Sequence, residues 1–342
     1  MKSHRCEFAP SEILPTLGWP LLVVGAFVLG LHAAIRFHAV PAPRPALDTE
    51  RTILLHQADA AGKSPPGLPG GRPSLLLLGD SSCLTDVSAR QLSDALGQPV
   101  LNLGTFSFLD LNAHARLVEE FVRHHGAVPA AVVLLMHPEA LRRLDGEPFY
   151  MEALTDYLAG RDHCQTETWW ENMECWLGLE AWRGRVLARC LPVPLAGAYG
   201  KRFGFNRDLE RFLDAEHGSV VDPELQPLTG SKEYRLAPGL ERASARFRAT
   251  VPRGTKLLAG ITPVAESLAP RSFKSQRDEM LQRWGQWLHA DGLLATLPAQ
   301  WPDDQFARST HLRESAVSDY TKILARALRD QFEQRAAAKG GL

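Results

Sequence analysis

Apolar positions in this chain alternate between unbroken short runs and runs at helical spacing. Leu75 to Leu78 are four consecutive leucines that lead straight into Gly79-Asp80-Ser81-Ser82. A short apolar run ended by turn residues predicts a strand buried on both faces, as in a parallel sheet covered by helices. Val87–Leu96 then carries apolar residues at helical spacing and stops at Gly97. Pro99–Leu103 reads as a second strand ending at Gly104, and Leu111–Val122 as an amphipathic helix closed by His124-His125-Gly126. Ala130–Met136 is a third buried strand, ending at His137-Pro138. Strand–helix alternation with short connections implies right-handed crossovers and a parallel sheet.

The pattern breaks between about 140 and 250, a stretch with Trp169, Trp170, Trp176 and Trp182 and a polar section around Phe203–Arg235. It reads as a largely helical insertion. Regularity returns with Lys256–Ile261 as a fourth strand, a helix from about Ser272 to His289, and a short fifth strand at Leu293–Leu297. Val317, Tyr320, Leu324, Leu328 and Phe332 then mark one face of a C-terminal helix. The fold expected is a three-layer, flavodoxin-like α/β domain around a parallel five-stranded sheet.

Ahead of that domain, Ile13–Ile35 holds no Asp, Glu, Lys or Arg. A run of that length suffices to cross a bilayer core as a helix. His32, Arg36 and Phe37 follow it in place of an Ala-x-Ala cleavage site, so an uncleaved transmembrane anchor at about Leu17–Phe37 is expected, with the N-terminus inside. Pro41–Pro45 is a stiff spacer, residues 49–60 allow a short helix, and Ser64–Pro73 (SPPGLPGGRP) reads as linker. The organisation expected is therefore leader and anchor over 1–40, linker over 41–73, and the α/β domain with its insertion over 74–335.

Composition changes this picture little. A chain of 342 residues with 45% apolar and 23% charged residues is globular, and a net charge of -1 lacks the basic excess of a nucleic-acid binder. Five cysteines are too few for a disulfide framework; Cys164, Cys175 and Cys190 cluster, and one bridge among them is compatible with an oxidising compartment.

The candidate chemistry starts at Ser81, which follows the carboxyl end of the first strand, where open α/β sheets bind ligands. Gly79-Asp80-Ser81, Asn102-Leu103-Gly104 and Phe306-Ala307-Arg308-Ser309-Thr310-His311-Leu312 together resemble the sequence blocks of the SGNH (GDSL-type) hydrolase superfamily, over roughly 74–140 and 255–335. The resemblance implies Ser81 as nucleophile, His311 as base, and the N–H groups of Ser81 and Gly104 as oxyanion donors. Ser82 is the fallback nucleophile, and Asp80 is read as a support that bonds loop N–H groups.

Two positions depart from the family pattern. The third strand ends in His137 with no asparagine nearby; this histidine either donates an N–H to the oxyanion or caps the strand end. Arg308 stands where the family has the acid that orients the histidine, and a guanidinium cannot accept the imidazole N–H. Asp303 and Asp304 lie just upstream, and Asp304, closer to His311, is the acid expected. A Ser–His dyad and a domain without catalysis are the alternatives.

Behind an anchor and a proline-rich spacer, this arrangement is similar to bacterial envelope proteins of alginate O-acetylation and teichoic acid D-alanylation. The resemblance implies an inner-membrane, single-pass O-acyltransferase or acyl-esterase with its domain in the periplasm, acting on a cell-surface polysaccharide. It further implies a multispanning membrane acyltransferase as partner and no metal or organic cofactor. The alternative is a catalytically inactive glycan-binding or scaffold protein of an exopolysaccharide export complex.

Overall fold

The computed structural model describes residues 10–36, 49–63, 73–106, 109–126, 128–143, 146–159, 194–195, 197–230 and 232–340. The insertion's tryptophans, the Cys164, Cys175 and Cys190 cluster and both proline-rich spacers lie outside these residues.

The leucine run forms strand β1 (Leu75–Gly79), buried along its whole length. It pairs in parallel with β2 (Val100–Asn102) on one side and with β3 (Ala131–Met136) on the other. Beyond β3 lie β4 (Lys256–Ile261), β5 (Val264–Ala265), β6 (Gly292–Leu293), β7 (Gln300–Trp301), β8 (Phe306–Arg308) and β9 (His311–Leu312). The main sheet has the order β2-β1-β3-β4-β6, every neighbour parallel. Counting only its own strands this is 2-1-3-4-5, the doubly wound order consistent with a flavodoxin-like layout. The sequence reading of a parallel five-stranded α/β sheet holds. The fifth strand is shorter than expected, because after Leu293 the chain turns inward and buries Leu294 and Leu297 instead of extending the ladder.

The four leucines divide by the two-residue period of a strand. Leu76 and Leu78 pack with Leu117, Val118, Phe121, Phe247, Leu281 and Trp284 on one face of the sheet. Leu75 and Leu77 pack with Leu92, Tyr320, Leu324 and Leu328 on the other. Both faces are dry, which is why the strand needs no polar alternation.

The segment 49–62, read with the linker, is a helix of the folded body. Ile53, Leu54, Leu55, Ala58 and Ala61 on helix Thr49–Gly62 are buried, and the helix packs on Leu111–His125. Its weak periodicity reflects burial on most of its circumference, where even Gln57 is fully enclosed.

The expected membrane span meets a different outcome. A helix does run from Pro10 to Arg36. Among the described residues, however, no helix is long and apolar enough to cross a membrane. The consecutive side chains described on it run only from Gly18 to Gly30. Over this stretch Trp19, Leu21, Leu22, Val23, Val24, Phe27 and Leu29 are 58–68% exposed.

At the end of β1 the backbone leaves no room for a side chain. A Cβ on Gly79 would lie 1.7 Å from the carbonyl oxygen of Leu135 on β3. Gly79→Ala should therefore part β1 from β3 at the mouth of the site. A loss of roughly 3–5 kcal/mol in chemical denaturation is expected, at the upper end for a single substitution.

Candidate functional site

At the carboxyl end of β1 the chain turns through Asp80 into a short helix, Ser81–Asp86. Asp80 is its N-cap: one carboxylate oxygen accepts the Ser82 N–H at 3.2 Å and the Ser82 hydroxyl at 2.6 Å. Both oxygens also accept the His137 N–H, at 3.3 and 3.2 Å, so one buried carboxylate ties the loop after β1 to the loop after β3. Burial pushes the Asp80 carboxyl up to about 6, against the pull of these hydrogen bonds. Ser82 is fully buried and its hydroxyl is shared between Asp80 and Thr262, the latter at 2.9 Å. A hydroxyl held at both ends is a structural bracket. Ser81 leads the helix and is 5% exposed.

His311 comes from the short hairpin β8–β9. The next N–H, that of Leu312, donates to Asp86 Oδ1 at 2.9 Å. Asp86 is the last residue of the helix that Ser81 begins, so this bond fixes the histidine strand beside that helix.

The acid beside His311 is Asp222. Its Oδ2 lies 2.5 Å from His311 Nδ1, and its side chain is fully enclosed. Asp304 does not take this role: it is exposed, in the turn Asp303–Gln305. Asp303 is occupied in accepting the Ser267 N–H at 2.9 Å. Closeness in sequence misleads here, because that turn points both acids outward.

Asp222 arrives from the polar part of the insertion, and its path is built bond by bond. Val220 N–H donates to Leu84 O at 3.1 Å, on the Ser81 helix. Gln226 N–H donates to Ala307 O at 2.9 Å, on β8. Asp222 lies between these two anchors. The sequence does hold a weak signal: Val220-Val221 is a short apolar pair running into Asp222-Pro223.

Burial raises the Asp222 carboxyl, but the His311 hydrogen bond and the charges of His311 and Arg308 outweigh it and hold the group below its ordinary range. Burial lowers the His311 imidazole; the Asp222 hydrogen bond opposes this, Arg308 reinforces it, and the net direction is down. His311 is therefore a neutral imidazole near pH 7. Its other nitrogen, Nε2, is buried with no hydrogen-bond partner among the described residues.

His137 caps the helix Pro138–Arg142: its Nδ1 accepts the Glu139 N–H at 3.2 Å. A neutral imidazole that accepts at Nδ1 carries its proton on Nε2. That Nε2 is also buried, with no hydrogen-bond partner among the described residues. Burial, with repulsion from His311, pushes His137 down to about 3, so it stays neutral. Tyr199, from helix Gly197–Phe203, adds a buried hydroxyl without a hydrogen-bond partner among the described residues, in the field of Asp222 and Arg308.

Gly104 behaves differently from expectation. Its N–H donates to Asn102 Oδ1 at 2.8 Å, and Asn102 is held in turn by Cys83 O at 2.8 Å and Ser219 Oγ at 3.0 Å. The N–H assigned to an oxyanion is thus spent on closing its own turn. The need for glycine here is steric, since a Cβ would lie 2.7 Å from Leu84 N.

Fold and site together define a doubly wound, parallel α/β protein that gathers a serine, two neutral histidines and the buried acid Asp222 at the carboxyl rim of its sheet. No family model, no curated protein and no solved structure matches this chain.

Proposed function

We propose that the chain is a serine-dependent acyl-transfer protein, an O-acyltransferase or acyl-esterase of the SGNH type. The observation that carries the reading is the state of His311: neutral, held at Nδ1 by a buried carboxylate, with Nε2 unpartnered, on a strand bonded to the Ser81 helix. A serine hydroxyl becomes a useful nucleophile only when such a base takes its proton.

In this reading Ser81 Oγ attacks an ester carbonyl as its proton passes to His311 Nε2. The carbonyl oxygen becomes an oxyanion, received by His137 Nε2–H and by the Ser81 N–H in the first turn of its helix. As the tetrahedral intermediate collapses, the imidazolium returns the proton to the departing alcohol, leaving the acyl group on Ser81. An acceptor hydroxyl then reverses these steps; with a sugar hydroxyl the outcome is transfer, with water it is hydrolysis. Asp222 holds the ring and offsets its transient charge.

The acceptor proposed is a cell-surface polysaccharide, with a multispanning membrane acyltransferase as acyl donor partner. An inner-membrane anchor with a periplasmic domain is part of the same proposal. Support for the anchor comes from the exposed apolar side chains between Trp19 and Leu29 and the uncharged run around them. One observation favours the second reading, an inactive glycan-binding or scaffold domain: the Gly104 N–H is already committed.

Covalent labelling separates the two. A fluorophosphonate should add one phosphonyl group to the peptide that carries Ser81. Unlabelled protein under conditions that label other serine hydrolases would leave the binding reading in place.

His137 supplies a second expectation. Removing one oxyanion donor costs about 10²–10³ in turnover, so His137→Ala should slow ester turnover by that order. His137→Asn should recover part of the rate if an amide N–H suffices. Full activity in His137→Ala would reduce this residue to a helix cap.

A further inference from the structure

Arg308 occupies the position three residues before His311. Its Nε–H is aimed at His311 Nδ1 at 2.8 Å, its Nε forms an ion pair with Asp222 Oδ2 at 2.6 Å, and the same Oδ2 is 2.5 Å from Nδ1. Three atoms thus meet within hydrogen-bond distance. Asp222 is held below its ordinary range and is ionised, so only the two nitrogens carry protons, and the guanidinium never gives up its own. A bare ring nitrogen 2.5 Å from a carboxylate oxygen would oppose two lone pairs. The ring–carboxylate contact is the shorter of the two at Nδ1, so the proton sits on Nδ1 and Asp222 Oδ2 accepts it, while Arg308 Nε pairs with the same oxygen by charge. Nε2 is left unprotonated, the form a general base requires. A second ring proton would place an imidazolium against a fixed guanidinium charge.

We propose that Arg308 is a positioning residue for His311: it fixes Asp222 Oδ2 so that the ring keeps the Nδ1–H tautomer, and its charge opposes the imidazolium. The arginine at the family's acid position is then the complement of an acid that has moved to Asp222. The catalytic meaning of this proposal rests on the acyl-transfer reading; the tautomer and the titration of His311 do not.

The groups facing His311 are few. Asp222 and Glu224 come from the loop 219–230, Arg308 from β8 and His137 from the end of β3. Asp86, on the Ser81 helix, is bonded to the neighbouring Leu312 N–H. His137 is neutral and adds no full charge. Burial keeps the Asp86 carboxyl well above its usual range. Glu224 Oε2 lies 3.7 Å from Arg308 Nη1 on the half-open side, and Arg308 is a quarter exposed. Among the described residues, Arg308 is thus the cation that faces the ring, and Asp222 is the acid that touches it.

The test is a titration of the ring nitrogens by proton–nitrogen correlation spectra on histidine-labelled full chain, between about pH 4 and 8. The wild-type His311 should show the Nδ1-protonated neutral form. In Arg308→Gln its pKa should rise by about one unit, as expected when one adjacent charge is removed. Arg308→Asp should raise it further, whereas Arg308→Lys should retain the wild-type tautomer and much of the low value. If the acyl-transfer reading holds, the acidic limb of kcat/KM moves upward with the same ranking. An Nε2-protonated wild-type ring, or an unchanged titration in both Arg308→Gln and Arg308→Asp, overturns the proposal. A shift of the ring titration in a protein that turns over no ester supports it and overturns the acyl-transfer reading alone.

Discussion

Ser81→Ala should give a folded protein that takes up no fluorophosphonate and turns over no ester. The expected loss is on the order of 10⁶ in kcat, the scale seen when a catalytic nucleophile is removed from a serine enzyme. Folding should survive because the capping of this helix belongs to Asp80, and alanine suits a first helical position. Intact-mass analysis after labelling, beside a thermal melt, checks both halves. Ser82→Ala is the informative contrast. Its hydroxyl donates to Asp80 and meets Thr262 inside the fold. Its removal should cost roughly 1–3 kcal/mol of stability, the penalty for leaving buried partners unsatisfied, while labelling at Ser81 persists. Loss of labelling in Ser82→Ala with retention in Ser81→Ala would exchange the two roles.

Asp222→Asn should lower turnover by about 10⁴, the effect of neutralising the acid in protease triads. The reason is tautomeric. An amide can turn its N–H toward Nδ1, which then has to accept, and the ring proton moves to Nε2. Asparagine keeps the volume, so the enclosed site should hold its shape. Asp304→Asn, in the exposed turn, should behave as wild type in the same kinetic assay. Equal, near-wild-type rates in both variants would mean that His311 needs no acid.

The sheet was legible because its signal is local. Leu75–Leu78 and Ala131–Met136 are apolar throughout, and each ends in turn residues, so strand, burial and parallel pairing follow from the pattern itself. Ser81 and His311 were reached by the same means, through short blocks of adjacent residues. Asp222 was not, because it stands 89 residues from His311 in sequence. It is brought there by the bonds of Val220 to Leu84 and Gln226 to Ala307, which are backbone bonds and leave no mark on residue type. That helix Thr49–Gly62 belongs to the folded body, and not to a linker, escaped for a related reason. Its polar residues, His56 and Gln57, face inward to serve specific carbonyl and carboxylate partners, so its apolar residues do not form a one-sided stripe.

Gln57 is where this matters most. Its amide nitrogen donates to Gly104 O at 2.9 Å and to Gly218 O at 2.8 Å. One side chain thereby clasps the loop after β2 to the start of the segment that delivers Asp222. The folded unit therefore includes helix Thr49–Gly62, upstream of the proline- and glycine-rich stretch. A truncated chain beginning at Ser74 would keep all five strands, the serine and the histidine. It would also lose the clasp and bare the leucines that helix Thr49–Gly62 covers, so an inactive product of such a cut would say nothing about the chemistry of Ser81.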